Sequence, residues 1–330
     1  MPGNRERVFL SHDGAIDEFL GMAVLALDPS VELVGVSIVN GDCLPESAMR
    51  VQWKLLQLLG LQRLSISLSK ARGFNPFPWE YRADSARLEG VSALDGFEPH
   101  PSWPPYPDGE AHLTEELENS IEAGLTLVVT GPLTPVANVL QLRPELESRI
   151  RRLIWMGGSI DVAGNLDPAT LPQGQANASA EWNAFFDPFA VDWLFRETLF
   201  PLTIVPLDCL DEARLTPEFL AQLDARSSES RLSKFANEAY GLVSGQPFYR
   251  MWDVATAALV VCPELFDRPT ALKLAVELWG QDQGALFRAK EGRDVDVVMG
   301  FRNGPAEFCK FVLRALRRLD YDVHPDGVVV

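Results

Sequence analysis

Three carboxylates fall within six residues near the start of the chain. Asp13, Asp17 and Glu18 stand in Val8-Phe9-Leu10-Ser11-His12-Asp13-Gly14-Ala15-Ile16-Asp17-Glu18-Phe19. Anionic side chains at a helix start interact favourably with the N-terminal partial charge. Three so close together repel one another unless a cation or substrate hydroxyls lie among them. Hard oxygen donors of this kind suit Ca²⁺ or Mg²⁺. The plain alternative is a charged helix start on the surface, and this segment alone does not decide between the two. Further along, Asp42 closes a second apolar run in Asn40-Gly41-Asp42-Cys43, and Thr130 closes a third in Thr130-Gly131-Pro132-Leu133-Thr134. Asp253 precedes the Ala-rich stretch Val254–Leu259, where it either caps a helix or serves a functional role as well.

The elements that must position these groups follow from apolar periodicity. Val8–Leu10 reads as a buried strand, the glycine turn after it as a tight turn, and Phe19, Met22, Ala23, Leu25 and Ala26 as one face of a helix. Val31–Val39 is a second strand, so the opening is a βαβ unit that requires a parallel sheet with right-handed crossovers. Ligands of open α/β sheets bind beyond the carboxyl ends of the strands, which puts Asp13 and Asp42 on one rim. A helix over Pro45–Leu59 and strands over Leu64–Leu68, Leu125–Val129, Arg149–Trp155 and Leu202–Leu207 continue the pattern, with a helix from about Pro135 and another opened by Asp187-Pro188. Helices with a polar, serine-rich middle fill 210–250. Leu272–Val298 reads as strands or a hairpin, and Pro305–Leu319 as an amphipathic helix carrying Arg314, Arg317 and Arg318 near its end. The aromatic, proline-rich segments at 73–82 and 96–112 read as loops that pack on the molecular surface or a neighbouring subunit, with the lining of a pocket for a flat ligand as the lesser alternative.

Composition narrows the class. At 47% hydrophobic and 23% charged residues, the 330-residue chain is typical of a soluble globular protein and can bury a large core. A net charge of −17 argues against nucleic acid or an anionic membrane as partner, since both attract positive surfaces. Cys43, Cys209, Cys262 and Cys309 lack metal-site spacing and read as buried thiols of a reducing compartment. The N-terminal apolar run is too short for a signal peptide, and no 18-residue apolar stretch occurs, so a cytoplasmic protein is expected. No linker or repeat divides residues 1–330, which are read as a single domain.

Taken together, the strand-end acids, TGPLT at 130–134, MGG at 156–158 with Gly164-Asn165, Ala180-Glu181-Trp182-Asn183 with Asp187-Pro188, and Trp252-Asp253 resemble the nucleoside hydrolases in order and spacing. The resemblance runs from Val8 to about Leu316. The HDG turn, NGDC at 40–43, NPFP at 75–78, AEWN and Trp252 are similar to the purine-preferring branch. It implies an α/β fold with a mostly parallel, Rossmann-like open sheet flanked by helices, and a ligand site at the C-terminal strand ends. It also implies a Ca²⁺ ion held by Asp13, Glu18, the main-chain carbonyl of Thr130 and Asp253, with Asp13 as general base for the water that attacks C1′ of a nucleoside. Asp17, Asp253 and Asn165 would hold the 2′- and 3′-hydroxyls, and Glu181 and Asn183 the 5′-hydroxyl. Trp252 and Tyr81 would stack on a purine, with Trp79 as a substitute for Tyr81, and Asp42 would lie near the base. The expected partner is a small purine nucleoside, and the expected assembly a homodimer or homotetramer with the loop at 101–107 available to an interface.

The chain also departs from the family pattern. Ser11 and Glu18 replace two aspartates of the usual Asp-x-Asp-Pro-Gly-x-Asp-Asp opening, Ala15 replaces a substrate-contacting Asn, Pro135 replaces the Asn of GPLTN, and Trp252 stands where many relatives carry a His. These changes keep two alternatives in view, a nucleoside- or ribose-binding relative with little turnover and a hydrolase of broader nucleoside specificity. A phosphotransferase with an Asp nucleophile at position 11 is disfavoured by Ser11.

Overall fold

β1 (Glu6–His12) alternates its side chains between two cores, as strand geometry requires: Val8 and Leu10 join one apolar cluster and Phe9 the other. In this computed structural model the chain is described over residues 5–98, 108–121, 124–171, 174 and 176–317. The opening helix (Ile16–Leu27) follows β1 after the turn at Gly14, whose φ of 84° is one that a side chain would strain. Then come β2 (Val31–Ile38), a helix at Pro45–Leu58, β3 (Ser65–Leu68), β4 (Leu125–Thr130) and β5 (Ile150–Met156). β6 (Leu202–Val205), β7 (Thr270–Val276), β8 (Leu286–Arg288) and β9 (Arg293–Val297) complete one sheet of order β3-β2-β1-β4-β5-β6-β9-β7-β8. β1 to β6 and β9 run parallel, whereas β7 is antiparallel to both β8 and β9. The expected α/β architecture is therefore present, with an antiparallel edge formed by the 270–298 region.

The register fixes the rim. His12 lies opposite Ile38 of β2 and Thr130 of β4, so Asp13, the residues after Ile38 and Gly131 all leave the sheet at one level. On one face the opening helix packs against the late helix (Trp252–Val261), both within the larger core cluster. The late helix is apolar nearly all round, as befits a buried helix. Asp253 lies inside its first turn. The preceding flanking residue is Met251, with no side-chain cap, so the N-cap reading of Asp253 is not what the fold shows.

Two further expectations change. β6 stops at Val205, because Pro206 has no N–H to donate, and Leu207–Leu210 turns into a short helix whose first N–H goes to the Gly158 carbonyl at 2.9 Å. The aromatic segment at 73–82 follows the lesser of its two readings, since Phe77 and Tyr81 reach the cavity described below. The loop at 101–107 lies outside the described residues. All four cysteines are free thiols, and among the described residues no helix is long and apolar enough to cross a membrane.

Candidate active site

A cavity of about 500 Å³ opens at the C-terminal ends of the central strands. Asp13, Asp42, Thr130, Asn165, Glu181, Asn183, Trp252, Asp253 and Tyr81 all line it. Asp17 and Glu18 are buried and do not line it; they stand behind Asp13 and Asp253. Trp79 is 68% exposed and also absent from the lining, so Tyr81 is the aromatic this segment delivers.

Glu18 is folded back onto the turn that precedes its own helix. Its Oε1 accepts from the Asp13 N–H at 2.9 Å and the Thr130 hydroxyl at 3.0 Å, and its Oε2 accepts from the Ala15 N–H, the Glu half of a capping box that Ala15 cannot reciprocate. The His12 Nδ1 lies 3.5 Å from that second oxygen, and burial holds the imidazole down to about 3, so it is neutral. Asp17 is equally engaged. Its Oδ2 accepts from the Asp253 N–H at 2.8 Å and its Oδ1 from the Tyr249 hydroxyl at 3.0 Å.

Burial raises the carboxyls of Asp13, Asp42 and Asp253 well above the ordinary range; the charge of Glu18 raises all three further, and those of Asp13 and Asp17 raise Asp42 and Asp253. Glu18 is pushed up to about 8, mainly by burial. The Asp13 carboxyl faces that of Glu18, and Asp253 faces Asp17. One oxygen of Asp42 and one of Asp253 are buried without a hydrogen-bond partner. Among the described residues no three His, Cys, Asp or Glu side chains already converge in metal-ligating geometry. The donor chemistry nonetheless suits a hard divalent cation: crowded oxygen anions, two of them with free lone pairs, next to the end of β4.

Glu181, Asn183 and Asn165 supply a further set of polar groups to the cavity. Glu181 caps the short helix Trp182–Phe186, with Oε1 accepting from the Asn183 N–H at 2.8 Å. Its Oε2 accepts from Gly158 N–H at 2.8 Å and Ala184 N–H at 3.2 Å, while burial lifts its carboxyl to about 7. The Asn183 amide donates to the Met156 carbonyl at 3.1 Å, which leaves its own oxygen for a ligand. Asn165 does the reverse, its oxygen accepting from the Trp182 N–H at 3.1 Å and its amide nitrogen remaining available.

An aromatic belt completes the cavity. Tyr81 packs 6.4 Å from Phe77, 6.2 Å from Trp182 and 6.1 Å from Phe248, ring centre to ring centre, and Trp252 lies 5.0 Å from Tyr249. Sequence reasoning missed Phe77, Trp182, Phe248, Tyr249 and Arg250 as lining residues. Each adjoins a motif that was singled out, Phe77 in NPFP, Trp182 in AEWN and the others just before Trp252, and that adjacency was the available signal. Burial and the nearby Asp17 charge push the Tyr249 phenol well up, so it remains a donor.

Comparison with known proteins agrees with this geometry. The family model described as inosine-uridine preferring nucleoside hydrolase matches residues 8–307. The non-specific ribonucleoside hydrolase RihC of Salmonella newport is 31% identical over 276 residues, 83% of this chain and 84% of the relative. The crystal structure of an inosine-uridine preferring nucleoside hydrolase from Bacillus anthracis aligns with a TM-score of 0.85 at 29% identity, over 95% of this chain and 100% of that one. A purine-preferring ribonucleoside hydrolase from Gardnerella vaginalis, 22% identical, shares the fold with a TM-score of 0.75 over 94% of this chain and 99% of its own. With the family model spanning nearly the whole sheet and every wall of the cavity, this chain belongs to the inosine-uridine preferring nucleoside hydrolase family and is a glycosidase of the N-ribohydrolase type.

Proposed function

We propose that the enzyme hydrolyses the N-glycosidic bond of purine ribonucleosides in a Ca²⁺-dependent reaction, releasing free base and ribose. The observation that carries this reading is one cavity whose lining joins the buried carboxyls of Asp13, Asp42 and Asp253 with the aromatic rings of Tyr81, Trp182, Phe248 and Trp252. Asp13, Glu18, the Thr130 main-chain carbonyl and Asp253 would hold the cation. Bound there, Ca²⁺ supplies the positive charge that keeps these carboxylates ionised and makes nearby water more acidic.

Asp13 takes a proton from the attacking water, held in place by the main-chain N–H of Asp42 that donates to its carboxylate. The water oxygen bonds to C1′ as the N-glycosidic bond breaks, and its electron pair leaves with the base. Asp253 and Asn165 bind the ribose 2′- and 3′-hydroxyls, with Asp17 behind Asp253, and Glu181 and Asn183 bind the 5′-hydroxyl. Tyr81 and Trp252, with Phe77 and Phe248, offer flat apolar faces to the base, and Asp42 stands near it. Because Trp252 occupies the position of a possible acid, the proton that neutralises the departing base comes from solvent. The same resemblance supports a cytoplasmic homodimer or homotetramer, which sedimentation would read directly.

A substrate panel tests the reading. Reducing-sugar release from inosine, adenosine and guanosine is expected to exceed that from uridine and cytidine at least about tenfold in kcat/KM, the worth of one stacking contact. A chelator should abolish all of it, and added Ca²⁺ should restore it. The Salmonella relatives are named non-specific ribonucleoside hydrolases. Equal rates on purines and pyrimidines would place this enzyme with them, and tight inosine binding without ribose release would make it a binding protein.

A further inference from the structure

The loop at 246–251 carries Phe248, Tyr249 and Arg250 to the mouth of the cavity and then enters the late helix. It is fixed at its outer end by Arg250, whose side chain donates to the carbonyls of Asp211, Pro247 and Tyr249, and by the Met251 N–H, which donates to the Ala213 carbonyl at 2.8 Å. At its inner end one side-chain bond crosses to the opening helix, from the Tyr249 hydroxyl to Asp17 at 3.0 Å. The other oxygen of Asp17 holds the Asp253 N–H at 2.8 Å. The two helices approach so closely there that a Cβ on Gly21 would lie 3.0 Å from the Asp253 carbonyl oxygen.

We infer that Tyr249 is a positioning residue: acting through Asp17, its hydroxyl fixes the orientation of Asp253, so that the aromatic mouth and the carboxylate end of the cavity are set as one unit. The inference rests on the functional reading above, in which Asp253 holds the cation and the sugar. A phenol suits this task where a lysine or arginine would not. It satisfies one lone pair of Asp17 and brings no positive charge to compete with a cation beside Asp253. Asp17 is left with one oxygen committed to the backbone of Asp253 and the other to Tyr249, so loss of either partner frees it to turn.

The test uses the full chain, with Tyr249→Phe, Asp17→Asn and the double variant, each stripped with chelator. Ca²⁺ binding by calorimetry, melting temperature in chelator, and kcat and KM on inosine are measured. Tyr249→Phe is expected to weaken Ca²⁺ binding and lower kcat by about tenfold each, the scale of one hydrogen bond to a charged group. Its melting temperature in chelator should stay within about 3 °C of wild type. The double variant should bind Ca²⁺ no more weakly than Asp17→Asn alone, because both changes break one chain of contacts. Ca²⁺ binding within twofold of wild type, a melting temperature that collapses while Ca²⁺ binding is unchanged, or additive losses in the double variant would each overturn the inference. A wild type that binds no Ca²⁺ overturns the functional reading and the inference with it, whereas a wild type that binds it alongside an unaltered Tyr249→Phe overturns the inference alone.

Discussion

Glu18 shows what one methylene does. The longer side chain bends back to the turn, where it accepts from two main-chain N–H groups and the Thr130 hydroxyl while facing the Asp13 carboxyl. An aspartate at this point would fall short of the Ala15 N–H, so Glu18 both shapes the turn and presents charge to Asp13. Asp13 itself is crowded: burial comes first, then the charge of Glu18, and both favour its neutral form. These effects have opposite consequences for catalysis and stability. Replacing Asp13 by Asn removes the proton acceptor and is expected to lower kcat on inosine by about 10²–10⁴-fold. The same change puts a neutral amide where burial and Glu18 already disfavour a charged carboxylate, so the melting temperature in chelator should be equal to or above that of wild type. A variant that loses activity only because it unfolds would show the reverse in a calorimetric scan.

At the level of elements, the opening and late helices meet at a glycine. Gly21→Ala would gain about 1 kcal/mol of helix propensity, yet its Cβ would press on the Asp253 carbonyl at 3.0 Å. The start of the late helix must then give by a few tenths of an ångström, carrying Asp253 with it. The expected result is a near-unchanged melting temperature with kcat on inosine reduced about tenfold, since small misplacements at a reacting centre are costly in rate. Much of this architecture is written in local sequence. Apolar runs and the acids at their ends identify the parallel strands and the rim, because a strand end is marked by its own residues. The start of the late helix is not local in that sense. The N–H of Asp253 is capped by Asp17 of the opening helix, 236 residues away in sequence, and no periodicity reports such a partner. That is why Asp253 reads as a cap from sequence and sits inside the helix in the fold. The aromatic segment at 73–82 poses the same difficulty: Tyr81 acquires its place from Trp182 and Phe248, which distant segments supply.

Across the whole molecule, charge sets what enters. The chain carries a net −17, and its cavity is lined by Asp13, Asp42, Asp84, Asp167, Glu181, Asp211 and Asp253 against, among the described residues, a single lining cation, Arg250. Such a field concentrates a divalent cation at the carboxylate end and repels anions throughout. The wall proposed for the 5′-hydroxyl adds a local obstacle, since both Glu181 oxygens are pinned by main-chain N–H groups and the side chain cannot turn away from a phosphate. A nucleoside and its 5′-monophosphate present the same base and the same scissile bond, so chemistry alone does not separate them; electrostatics must. Inosine 5′-monophosphate is therefore expected to react with a kcat/KM at least about 10³-fold below that of inosine, the cost of placing a dianion against a buried acid that cannot turn away. Raising ionic strength from about 0.05 to 0.5 M shortens the screening length severalfold. Long-range repulsion would fade under that change and the contact at Glu181 would not, so the ratio should narrow without closing. A ratio that closes completely would assign the discrimination to the overall field, and one that does not move would assign it to Glu181 alone.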